Sequence, residues 1–151
     1  MATSSLIQSL ETGLDGASSH RRQVETFLAA GTITAGDVVM WDTSQAGADI
    51  LLHVVKSALK ALGQPLACGI ALSSAVSGGK IEVVTSGFAV ANCAADTGTI
   101  VLGDVLVASV VTAGEVEVRV AADTARAFGV ALEAADATTA NFVNICVYPQ
   151  F

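Results

Sequence analysis

Apolar and polar positions alternate in short runs along most of the chain. From Gln23 onward, DVVMW, LLHVV, CGIAL, KIEVV, GFAVANC, TIVL, DVLVASVV, EVEVRVA, FGVAL and FVNICVY are rich in Val and Ile, and Gly, Asp, Ser and Thr separate them. Short runs with turn residues about every ten positions predict many brief strands, and hence an all-β sandwich or barrel. Alternation is cleanest in EVEVRV, which places Val116, Val118 and Val120 on one face and Glu115, Glu117 and Arg119 on the other. Two segments carry a competing helical signal. VETFLAA fits strand or helix, since Val24, Phe27 and Leu28 also match helical spacing. VVKSALKALGQP strings Ala58, Leu59, Lys60, Ala61 and Leu62 together before Gly63 and Pro65, which predicts a short helical turn inserted between two strands.

The first 22 residues have a different pattern. TSSLIQSLETGL spaces Leu6, Ile7, Leu10 and Leu14 for one face of a short helix that Ser4 or Ser5 would cap, and DGASSH then reads as a turn or link. A helix with so narrow an apolar stripe is marginal alone and must dock on something. The division predicted is an N-terminal arm over 1–22 and a single β domain over 23–151.

Within that domain the chain repeats itself. GTITAGDVVMW (31–41) returns as GTIVLGDVLVA (98–108), and ACGIALSSA (67–75) returns as AFGVALEAA (127–135), each followed by a turn and a β run. Two copies at this spacing are too few and too long for a solenoid. They predict two similar β units, about 23–87 and 88–151, that pack as one barrel or sandwich because neither buries its apolar face alone. Gly36 and Gly103 stand where a tight turn enters a strand and positive φ is useful. Asp37 and Asp104 follow them and can bond local backbone in an Asx-type turn. A catalytic or metal-binding pair of aspartates is disfavoured, because no His or third carboxylate accompanies either at ligand spacing. The copies differ at Trp41, where the second has Ala108, and at the insertion after Lys56.

Composition narrows the function. Hydrophobic residues make up 52% of the 151 and charged residues 14%, against roughly 25% charged in an average soluble domain. A surface so poor in charge favours an oligomer or assembly. The uncharged run 83–95 is shorter than the roughly 20 residues of a membrane helix, and MATSSLIQSLETG lacks the basic start of a signal peptide. Neither membrane association nor export is expected. A net charge of −7, with HRR at 20–22 as the only basic cluster, argues against nucleic acid as a partner. Cys68, Cys93 and Cys146 are an odd set without C-x-x-C spacing, and read as buried free thiols. His20 and His53 lack a second ligand nearby, and no nucleophile elbow, phosphate loop or dinucleotide fingerprint is present. The expectation is a non-enzymatic protein with no cofactor and no metal.

The tandem of AGDVV, ACGIAL and a C-terminal NICVYP resembles the capsid decoration, or cement, proteins of tailed bacteriophages. The resemblance lies in residues 36–39, 69–72 and 78–87, again in 103–106 and 129–132, and spans about 24–149. It implies a protein on the outside of a phage capsid, assembled in the host bacterial cytoplasm. Its implied partners are the major capsid protein and itself, as a homotrimer. A tail, neck or fibre component is the alternative. The residues put forward for partner contact are Leu6, Leu10, Arg21, Arg22 and Trp41.

Overall fold

A computed structural model describes residues 22–57, 67–93, 99–109, 111–120, 127–136 and 142–148. Residues 1–21 of the arm, with Leu6, Leu10 and Arg21, and the helical turn expected over 58–65, lie outside the described residues, whereas Arg22, expected in the arm, opens the first strand. Eleven strands follow one another among those described: β1 (Arg22–Ala29), β2 (Val38–Trp41), β3 (His53–Lys56), β4 (Ala67–Ala71), β5 (Lys80–Asn92), β6 (Thr99–Ile100), β7 (Val105–Ala108), β8 (Val116–Val118), β9 (Gly129–Ala131), β10 (Ala135–Asp136) and β11 (Phe142–Val147). A 3-10 turn over Gly47–Leu51 precedes β3. No helix among the described residues is long and apolar enough to cross a membrane. The ambiguous VETFLAA is strand: Phe27 and Ala29 point inward and Thr26 outward, a period of two fixed by pairing with β5.

Five strands close into a barrel. β1 pairs with β3, β3 with β2, β2 with β4, β4 with β5, and β5 returns to β1. All these ladders are antiparallel except β1–β3, which is parallel through Leu28↔His53 and Ala29↔Val54. The sheet then continues from β5 through β11, β9 and β7 to β8. There a parallel bridge, Cys93↔Val116, brings the far edge back to the end of β5. A second five-stranded ring results, and β5 belongs to both. The sequence suggests KIEVV and GFAVANC as separate runs, but they are one strand of 13 residues. Gly87, at φ +93°, sits one residue past its midpoint and pairs with both Arg22 and Val147. A glycine there lets the strand bend from one ring into the next.

The pairings repeat ring for ring. Leu28↔Lys80 in the first matches Asn92↔Phe142 in the second, Val39↔Lys56 matches Leu106↔Val118, and Val39↔Gly69 matches Leu106↔Gly129. The bridge Ile33↔Ala75 matches Ile100↔Ala135 of the β6–β10 pair. Phe27, Ala29, Ile33, Val39, Val54, Cys68, Ala71, Ile81 and Val83 fill the first ring. Their counterparts Ala91, Cys93, Ile100, Leu106, Val116, Phe128, Ala131, Val143 and Ile145 fill the second. Volume is conserved by exchange: Phe27 and Cys68 in the first core become Ala91 and Phe128 in the second, so each core keeps one Phe. Val38, Ala67, Ile70 and Val84, on the outside of the first ring, join the second ring's core cluster and fuse the two.

One sequence expectation is corrected at β8. The strand ends at Val118, so the alternation does not reach Val120, which is exposed. Glu117 is buried, because both faces of this short strand are covered.

Candidate functional site

The repeated Gly-Asp turn is the place to look for chemistry, and its two copies share one geometry. Gly36 has φ +88° and Gly103 φ +92°. The Asp37 N–H donates to the Thr34 carbonyl at 3.0 Å, and one Asp37 carboxylate oxygen accepts the Thr34 N–H at 2.7 Å. In the second copy the Asp104 N–H donates to the Val101 carbonyl at 3.1 Å, and Asp104 accepts the Val101 N–H at 2.8 Å. Each carboxylate therefore bonds backbone three residues back rather than two residues ahead, as an Asx turn would. The turn then ties to the next strand in the same way twice, Gly36 to Ala71 and Gly103 to Ala131.

The surroundings differ. Asp37 is buried at the junction of the rings, and its Oδ2 lies 2.8 Å from Lys56 Nζ. Its Oδ1 accepts from Asn92 Nδ2 at 3.0 Å. Gly114 of the second ring closes over the pair. Its N–H donates to Ser57 Oγ at 3.0 Å, and its carbonyl accepts the Val38 N–H. A side chain on Gly114 would meet Asp37 and Lys56 at 2.8 and 2.9 Å. Asp37 is thus held by a cation, an amide and a backbone N–H while itself buried, which makes it a structural anchor. Asp104 is half-exposed.

The other candidates sort as follows. Cys68 and Cys93 are buried free thiols, and Cys146 is a half-buried one. Cys68 donates to the Val39 carbonyl at 3.5 Å, and burial pushes its thiol up to about 12. Burial, followed by the nearby Glu115, also raises Cys93. Both shifts run opposite to those of an activated nucleophile. His53 Nδ1 lies 2.9 Å from the Asp49 carbonyl at the start of β3. Asp42 is held below the usual carboxylate range by hydrogen bonds from Gln45 and from Ser44 in a true Asx turn. Among the described residues no three His, Cys, Asp or Glu side chains gather as metal ligands would.

Of the residues put forward for contact, Arg22 opens β1 and lines a shallow apolar cleft with Ala35, Leu72, Phe88 and Phe142, between the rings. Trp41 is half-buried and packs edge-on to Phe27, with ring centroids 5.1 Å apart at 84°. The sequence alone did not point to Lys56, Asn92 or Gly114. Aligning the two hairpins would have flagged Lys56, since the second copy has Val118 in its place.

No family model matches the chain, and no curated protein matches it. Solved structures do. The chain is similar to the N base of the head fibre gp8.5 of bacteriophage phi29, at 17% identity and TM-score 0.56, over 85% of this chain and 95% of that one. It is also similar to a chain in the capsid of Myoviridae phage XM1, at 17% identity and TM-score 0.61, over 86% and 85%. At this identity the likeness is one of fold.

Proposed function

We propose that this chain is a non-enzymatic structural protein of a bacteriophage head that binds the outer surface of the capsid and stabilises contacts between major capsid proteins. The observation that carries the reading is the extent of the shared fold: it runs through most of a head-fibre base and of a capsid chain. Both names belong to the head, which favours a capsid position over a tail or neck position. The chemistry agrees. The pair of buried Asp37 with half-buried Lys56 lies within the first ring, covered by Gly114 of the second, and serves the junction of the two barrels. A net charge of −7 suits the outside of a shell better than its DNA-facing side. Free thiols suit assembly in a reducing bacterial cytoplasm. Many modest contacts made by a multimer on a symmetric lattice would add to a tight hold.

The test is binding of purified chain to empty shells lacking it. Saturation at a fixed symmetric stoichiometry, with shells rupturing at higher temperature once decorated, is the expected result. Absence of saturable binding overturns the reading.

A further inference from the structure

The rings meet through a face whose counterpart on the second ring is free. On the outside of the first ring, Val38, Ile70 and Val84 stand side by side on neighbouring strands, and all three are fully buried against the second. The same registers on the second ring align Val105, Val130 and Cys146, and the pairing runs on to Phe88. None of these four is buried: Val105 is 38% and Phe88 39% exposed, and Val130 and Cys146 are half-buried. Leu102 and Leu132 flank the row at 69% and 43%. A water-facing sheet surface normally carries polar residues. An unbroken apolar row marks a contact surface.

The surface that covers the first face also has a free counterpart. Within the chain, Gly114 accepts from Val38 and Asn92 abuts Gly36. Register maps Asn92 onto Leu28, and the position two before Val116 onto Leu52, two before Val54. Leu28 and Leu52 line a shallow concavity on the first ring with Thr26, Phe27 and Lys80. Leu52 and its neighbour Leu51 are exposed. Charge fits as well. Asp37 has Lys56 for a partner, whereas Val118 takes that position beside Asp104, which has no ion pair among the described residues. Lys80 on the concavity would supply the missing cation.

We propose that a second copy of this chain seats its first-ring concavity on the Val105–Val130–Cys146–Phe88 row, repeating between molecules the contact that joins the rings within one. The interface is head-to-tail, so it closes into a ring of copies where the rotation allows. This deepens the self-association that the capsid role calls for, and does not depend on shell binding.

Light-scattering mass of the full chain tests it, with Leu102→Glu on one face and Leu52→Glu on the other, both at exposed positions that tolerate the change. The wild-type chain is expected as a multimer and each variant at the mass of one chain. An equimolar mixture of the two variants should reach the mass of two chains, since one intact pair of faces remains between them. Cys146 should react faster with a thiol reagent in either variant than in the wild type. A wild-type chain of single-chain mass, a variant that keeps the wild-type mass, or a mixture that stays at one chain overturns the proposal. Were the wild type a single chain that still binds shells, and Leu102→Glu to abolish that binding, the row would belong to the capsid and self-docking would be refuted with the capsid role intact.

Discussion

At the scale of single residues, the two Gly-Asp turns form a natural control for each other. Both glycines occupy the left-handed region, where an L side chain costs roughly 1–2 kcal/mol. A Cβ on Gly36 would in addition meet Asn92 Oδ1 at 2.5 Å, whereas one on Gly103 meets nothing within 4 Å. Gly36→Ala should therefore destabilise more than Gly103→Ala in urea melts. Gly69→Ala should exceed both, because its Cβ would run into the Val84 carbonyl oxygen and the backbone of a strand shared by two barrels cannot step aside. Equal losses at 36 and 103 would contradict the junction described here. The aspartates divide similarly. Asp37→Ala strands Lys56 and frees Asn92, and should cost about 3 kcal/mol, the low end for breaking a buried pair since Lys56 keeps some contact with water. Within a single chain Asp104→Ala loses one hydrogen bond to backbone and should cost about 1 kcal/mol. Cys68 adds a pH dependence. Its thiol titrates near 9.0 when unfolded and near 12 when folded. The native chain thus holds that proton more tightly, and the associated stability is whole below pH 9.0 and drains away as pH climbs toward 12. The slope is about 1.4 kcal/mol per pH unit. It is measured as the difference in urea stability between the wild type and Cys68→Ala from pH 8 to 11. The cavity in the variant offsets the curve without tilting it, so parallel curves would refute the assignment.

At the scale of elements, β5 organises the molecule. β1 lies along its first half and β11 along its second, and Gly87 is the residue at which both partners end. A valine there would oppose the +93° φ at the point of transfer between the rings. Gly87→Val should accordingly lower amide protection in β1 and β11 together. Loss confined to one of them would mean that β5 is two strands in effect. This element also shows what the sequence could and could not disclose. The all-β class, the repeat and the role of Gly36 and Gly103 as turn residues are legible because they rest on local chemistry: β-branched runs, period two and glycines before strands. The fusion through one strand is not legible, because a glycine between two apolar runs signals a turn at least as well as a bend. Nor is the burial of Glu117, since a three-residue strand is too short for alternation to reveal that both its sides are covered. The asymmetry of Asp37 and Asp104 hides for a related reason. Identical turns were written for both, and the difference comes from Lys56, Asn92 and Gly114, which no local spacing connects to Asp37.

At the scale of the whole molecule, the question is whether two rings make one folding unit or two. Val38, Ile70 and Val84 belong by connectivity to the first ring and by packing to the core of the second. Uncovering three such side chains costs about 1.5–3 kcal/mol each, a large share of the 5–15 kcal/mol that holds a domain together. Losing the second ring would also open the Gly114–Ser57 and Gly114–Val38 bonds and leave the Asp37–Lys56 pair without its lid. The first ring should not survive that loss, nor should the second keep its core cluster without the four residues it borrows. A single equilibrium transition follows. Trp41 is the only tryptophan and packs in the first ring, so its fluorescence reports on that ring alone, while far-ultraviolet circular dichroism reports on both. The two denaturation curves should superimpose in midpoint and slope. A fluorescence transition displaced from the dichroism transition would show the rings unfolding separately, and the shared strand would then be a tether between two domains instead of the spine of one.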